Sequence, residues 1–136
     1  MPESLGLRHV ALVVSDVSRS EGFYVGVLGF SEEWRPDSEN LYLCLHGDNL
    51  ALHQFTAKSP EDQRAFDERR GSHLDHIGIV VRRPEDVDHW QTYLEAHGVK
   101  ILAPAKSHRD GARSLYCADP DGNSVQILYH PPISER

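Results

Sequence analysis

Two histidines hold matched places in a repeat. His9 opens the run His9-Val10-Ala11-Leu12-Val13-Val14, and His76 opens His76-Ile77-Gly78-Ile79-Val80-Val81. Each run soon meets Asp-Val (Asp16-Val17, then Asp86-Val87) and then an amphipathic stretch ending in glycine, Gly29 and Gly98. An internal repeat sets the architecture before any single residue does. Here it also gives each half of the chain one imidazole at the same point, and an imidazole is the side chain best suited to move a proton or hold a metal near neutral pH.

The elements that must position these histidines are legible from periodicity. Leu7 to Val14 alternates and is β-branched, which predicts a strand. Ser18-x-x-Glu21 has the form of a capping box, with Phe23, Tyr24, Val27 and Leu28 on one helical face and Gly29 as the C-cap. Strands are expected at Phe30 to Arg35, Leu41 to Leu45 and Leu50 to Phe55, with Gly47-Asp48-Asn49 turning between the last two. The charged stretch Ala57 to Ser72 reads as a linker with a short solvated helix started by Ser59-Pro60-Glu61-Asp62.

The second half repeats this order. A strand is expected over Leu74 to Val81, then a helix opened by Pro84-Glu85-Asp86 with Val87, Trp90 and Leu94 on one face, closed by His97-Gly98. Strands follow near Lys100 to Ala103, Ser114 to Ala118 and Ser124 to Tyr129, and Pro131-Pro132 is expected to stop the structure. Each half therefore reads βαβββ. The boundaries are 5–56 for module one, 57–73 for the linker and 74–130 for module two. One module is too small to bury a curved sheet's face, so the two are expected to pack as a single domain.

Bulk properties narrow the function classes. With 136 residues, 39% of them hydrophobic and 26% charged, the chain reads as one globular domain. A formal net charge of −7 argues against a nucleic-acid partner. No apolar run reaches membrane-spanning length and the start lacks a signal-peptide core, so a cytoplasmic protein without a membrane partner is expected. Cys44 and Cys117 form no metal-type pair and are too few for a disulfide scaffold.

This order, with Asp119-Pro120-Asp121-Gly122-Asn123 before the last strand, resembles the vicinal oxygen chelate superfamily. That group includes glyoxalase I, extradiol dioxygenases, fosfomycin resistance enzymes, methylmalonyl-CoA epimerase and bleomycin-binding proteins. The resemblance implies an α+β fold of two βαβββ modules forming a curved mixed-sheet cup around a divalent metal, with ligands on the first and last strands of each module. Carried onto this chain, it implies His9 and His76 as first-strand ligands and Gln126 as the last-strand ligand of module two. Most catalytic relatives have glutamate at that place; glutamine keeps a carbonyl oxygen and loses the charge. For the fourth ligand, aligning the two turns puts Leu52 opposite Gln126, whereas face parity turns Ala51, His53 and Phe55 toward the cup. That favours His53, with Gln54 as the competitor.

The set does not select one ion among Fe, Zn, Ni and Mn. Tyr116 stands ten residues before Gln126, where a pocket tyrosine is implied by the resemblance to extradiol dioxygenases. His108 lies roughly where those enzymes have a pocket histidine. The implied activity is a metal-dependent reaction on a small oxygenated substrate, ring-cleaving dioxygenation first, with glyoxalase- or epimerase-type lyase or isomerase chemistry as an alternative. A further alternative is a drug-sequestering protein of the bleomycin-resistance type. The resemblance also implies a homodimer, with His9 and His53 from one chain and His76 and Gln126 from the other.

Overall fold

In the computed structural model, residues 8–68 and 74–134 are described. The chain divides into two units, Met1–Phe66 and Asp67–Arg136. The first unit runs β1 (His9–Val14), α1 (Val17–Tyr24), β2 (Ser31–Trp34), β3 (Asn40–Cys44) and β4 (Asn49–Gln54), followed by α2 (Pro60–Glu68), which crosses the boundary. The second runs β5 (Ile77–Val80), α3 (Pro84–Ala96), β6 (Ile101–Ser107), β7 (Arg113–Ala118) and β8 (Ser124–Tyr129), ending in α4 (Pro131–Ser134).

Each unit is a four-stranded mixed sheet, ordered β1-β4-β3-β2 and β5-β8-β7-β6. The first strand pairs parallel with the last, and the remaining pairs are antiparallel. The repeat in the sequence is therefore a repeat of topology. In both sheets one face packs on the unit's helix. Leu12, Val14, Leu41, Leu43, Leu50 and Leu52 are buried in the first unit, against Val17, Phe23 and Tyr24 of α1 and its flank. Leu115, Cys117, Val125 and Ile127 are buried in the second, with Val87 and Leu94 of α3. Burying such side chains contributes about 1.5–3 kcal/mol each, so these faces fix the register. Because side chains alternate along a strand, the residues between them form the opposite face.

Local chemistry departs from expectation at a few boundaries. The α1 N-cap is Asp16, whose carboxylate accepts from the Arg19 N–H at 3.1 Å, and not Ser18. Asp16 has extended backbone geometry just before the first helical residue, Val17, where a side-chain oxygen can accept from the first-turn N–H groups, whereas Ser18 already lies inside the helix. The α1 helix also ends early, at Tyr24 with Val25 as cap, and a looser turn carries the chain to Gly29, whose φ of +80° does the reversing. Strand β6 runs on to Ser107, beyond the expected Ala103. Pro131-Pro132 starts a short helix and does not stop the structure, since proline is tolerated in a first helical turn. The expected strand residue Leu7 and the linker end 69–73 lie outside the described residues.

The Asp119 turn shows why its sequence suits a tight hairpin. Asp119 Oδ1 accepts from the backbone N–H of Asp121 (2.9 Å) and of Asn123 (2.8 Å). Its Oδ2 accepts from Asn123 Nδ2 at 2.8 Å. Gly122 takes φ +84°, a conformation glycine adopts without a Cβ clash.

Candidate functional site

In the second unit three of the expected residues meet. Gln126 faces Gly78 on one side and Tyr116 on the other across the sheet. Its Nε2 donates to the Tyr116 hydroxyl at 2.8 Å. Its Oε1 is thereby left pointing toward β5, where a Cβ built on Gly78 would lie 3.6 Å from it. The absence of a side chain at Gly78 leaves that carbonyl oxygen room. The His76 ring stands edge-on to the Tyr116 ring, with centroids 5.3 Å apart at 86°. Gln126 is 8% exposed, so its amide orientation is held in a largely dry setting. Tyr116 thus touches both an imidazole and the amide nitrogen of Gln126, and its hydroxyl, which accepts that bond, can still donate its own proton.

The Nδ1 atom of His76 bonds to the neighbouring Asp75 carboxylate. A carboxylate only accepts, so His76 carries its hydrogen on Nδ1 and offers a lone pair at Nε2. This carboxylate–imidazole pairing is the usual support of a metal-binding histidine.

In the first unit, His9 is set by a longer chain of bonds. Glu33 accepts from Asn49 Nδ2, which turns Asn49 Oδ1 toward the histidine. His9 Nδ1 then donates to that oxygen at 2.6 Å. Here too the lone pair sits on Nε2. Asn49 is the cross-strand partner of His9, so the parallel β1–β4 register itself supplies the support. Sequence reading missed Asn49, Glu33 and Asp75; a polar residue opposite a strand histidine is the signal that would have found Asn49.

The fourth expected ligand lies elsewhere. His53 is on the same face as His9, as parity requires, but it pairs with Val13, four residues along β1. At 3.3 Å rise per residue and 4.8 Å between strands, the two Cα atoms are about 14 Å apart. An imidazole reaches only roughly 6 Å from Cα to a bound ion, given metal–nitrogen bonds of about 2 Å. His9 and His53 of one chain therefore do not share an ion. The register counterpart of Gln126 is Ala51: Ala51 pairs with Ala11 and Tyr42 as Gln126 pairs with Gly78 and Tyr116. The competitor Gln54 points the other way and caps α1, its Oε1 accepting from the Val17 N–H at 3.0 Å.

His108 sits at the turn between β6 and β7, and its Nε2 is bonded to Ser114 Oγ at 2.9 Å. Ser114 is two residues from Tyr116 and so on the same face of β7. Among the described residues no three His, Cys, Asp or Glu side chains converge as a metal-holding group. Gln126, whose side-chain oxygen is an amide carbonyl, is a residue type outside such a grouping.

Residues 6–127 match the Glyoxalase/Bleomycin resistance protein/Dioxygenase superfamily, and the chain belongs to that superfamily. It is similar to the metallothiol transferase FosB of Bacillus licheniformis, 32% identical over 124 residues, covering 90% of this chain and 74% of that protein. It is also similar to a manganese-dependent 2,3-dihydroxybiphenyl 1,2-dioxygenase of Geobacillus genomosp. 3, 24% identical over 123 residues, which are 89% of this chain and 35% of that protein. The crystal structure of lactoylglutathione lyase from Agrobacterium tumefaciens superposes with a TM-score of 0.72 at 20% identity, over 94% of this chain and 96% of that one. The last likeness is one of fold. No helix among the described residues is long and apolar enough to cross a membrane.

Proposed function

We propose that the protein is a divalent-metal-dependent enzyme acting on a small oxygenated substrate, with His76 and Gln126 as candidate metal donors of the second unit and His9 as the candidate donor of the first. The observation that carries this reading is the support of the donors. Both histidines are bonded at Nδ1 to an oxygen acceptor and Gln126 through its nitrogen, so that among the described residues Nε2 of each histidine and the Gln126 oxygen stay available. Imidazole and carbonyl-oxygen donors suit a borderline divalent ion such as Zn, Ni, Fe or Mn. When bound, the ion would supply Lewis-acid polarisation of adjacent substrate oxygens.

The protein's own part follows from the remaining groups. Tyr116 receives the Gln126 hydrogen bond and can give its hydroxyl proton to a substrate oxygen. His108, tied to Ser114, stands on the same flank as a second polar contact. A neutral Gln126 takes no proton from substrate, so lyase or isomerase chemistry that uses a ligand carboxylate as base is disfavoured. Ring-cleaving dioxygenation, with Tyr116 orienting a phenolic oxygen, needs no such base. A second reading is transfer of a thiol to an activated small molecule; the 32% identity to a metallothiol transferase favours it. The homodimer and the cytoplasmic location belong to the proposal as well.

Metal titration of the full chain by calorimetry tests the reading. We expect one equivalent of manganese or zinc per chain, and loss of at least tenfold in affinity, about 1.4 kcal/mol, in His76→Ala. Equal, weak binding by both forms would overturn it and leave a metal-free binding protein.

A further inference from the structure

A carboxylate offers an ion two like oxygens and serves it either way round. An amide does not: glutamine has a carbonyl oxygen at one end and an NH2 group at the other. Turned the wrong way, it sets two partially positive hydrogens before a cation. With glutamine at 126, something in the fold must choose the orientation.

The surroundings of Gln126 make that choice. The residue is nearly buried, so bulk water does not serve its amide. Its Nε2 donates to the Tyr116 hydroxyl at 2.8 Å, and among the described residues that oxygen is its acceptor. Reversal would swing both hydrogens toward Gly78 on β5, where no side chain stands to accept them. Buried N–H groups without an acceptor are rarer in folded proteins than under-satisfied carbonyls. A tyrosine oxygen both gives and accepts, so it is the pair of amide hydrogens that breaks the tie. The phenol itself keeps its place whichever way the amide turns. The β7–β8 register sets Tyr116 opposite Gln126, and the edge contact with the His76 ring holds its plane.

We propose that Tyr116 is a positioning residue whose hydroxyl, by accepting from Nε2, keeps the Gln126 carbonyl turned toward the metal side. The inference rests on the reading of Gln126 as a donor to the ion. It adds a dependence that a carboxylate at this place would not have. Without the hydroxyl the two amide orientations lose their difference, and the fraction ready to receive a metal falls to half or below. The apparent dissociation constant rises by the inverse of that fraction. With a carboxylate at 126 the two ends are alike and nothing is left for the hydroxyl to select.

Nuclear magnetic resonance of the full chain in EDTA reads the orientation without any metal. The Gln126 side-chain hydrogens are assigned by their loss in Gln126→Glu. In the wild type we expect their Overhauser contacts with the Tyr116 ring; in Tyr116→Phe, contacts with the Gly78 α-hydrogens should appear. Hydrogens beside Gly78 in the wild type, or contacts that do not move in Tyr116→Phe, overturn the proposal. Calorimetric titration with manganese and zinc reads the consequence in the wild type, Tyr116→Phe, Gln126→Glu and the double variant. Tyr116→Phe should weaken binding about 2- to 10-fold in the wild-type background and not in the Gln126→Glu background. Tyr42→Phe, at the matching point of the first unit, should leave metal affinity unchanged. A loss that is equal in both backgrounds, or equal in Tyr42→Phe, overturns the proposal and leaves the metal reading standing. A wild-type chain that binds neither metal ends both. Should Tyr116→Phe not fold, the wild-type contacts alone decide.

Discussion

Replacing Gln126 with glutamate changes one atom type at the point where Tyr116 and His76 meet. Gln126 is 8% exposed and gives its Nε2 hydrogen to Tyr116 at 2.8 Å. A carboxylate there cannot donate, so the Tyr116 hydroxyl must turn and donate to it. That bond to a charged acceptor recovers about 1.5–3 kcal/mol. Against it stands the desolvation of a nearly buried carboxylate, several kcal/mol at least. Without metal, Gln126→Glu is therefore expected to cost about 1–3 kcal/mol, the scale of an imperfectly satisfied buried polar group. For a chain of this size each kcal/mol lowers the melting temperature by roughly 3–5 °C.

The loss has a sign in pH. Burial raises the introduced carboxyl's pKa above its ordinary value, so the penalty is absent in acid and grows as pH rises through the raised value. With a divalent ion the balance reverses. At an effective dielectric near 20, unit charges 4 Å apart attract by about 4 kcal/mol, and the ion carries two. After desolvation, a gain of tenfold or more in metal affinity is expected, about 1.4 kcal/mol. Calorimetric titration with manganese and zinc, and melting in EDTA at pH 5 and pH 8, read both arms. Unchanged metal affinity together with a lowered melting point would refute the assignment of Gln126 as a donor to the ion.

Two other outcomes are expected. Burial, with Asp119 nearby, pushes the Cys117 thiol up to about 11, while Cys44 is half-buried, so native protein at pH 8 should show Cys44 reacting quickly with a thiol reagent and Cys117 only after unfolding. The hydrogen bond from Arg113 holds the Asp88 carboxyl below its usual range; its contribution is complete above the ordinary aspartate pKa and is lost as pH falls through the lowered one, so Arg113→Met should lower the melting temperature slightly at neutral pH, as befits an exposed pair, and leave it unchanged in strong acid.

The sheet topology was legible because both halves repeat it. β-branched alternation in β1 and the Asp119 turn before β8 are backbone signals, and backbone signals survive in one sequence. Parity likewise put Ala51 and His53 on the face that carries His9. Which of them stands opposite a given residue was not legible, because register is set by where the Gly47-Asp48-Asn49 turn ends and how Leu50 and Leu52 seat in the core. A shift of two residues keeps the face and changes the partner, and that shift separates His53 from Ala51. The supports Asn49 and Glu33 were invisible for the same reason: each is a neighbour across strands, and no local spacing announces it. Asp16 displaced Ser18 as the α1 cap because two capping residues stood two positions apart, and only the backbone angles choose between them.

Tyr42 and Tyr116 occupy the same lattice point of two identical strand orders. The phenols nonetheless do different things. Opposite Tyr116 stands an amide that engages its hydroxyl; opposite Tyr42 stands a methyl group, and the ring answers to Trp34 and His53 instead. A single cross-strand neighbour thus decides whether a tyrosine serves through its oxygen or through its face. Duplication copies a backbone faithfully, and the division of labour between the copies is written in the side chain one strand over.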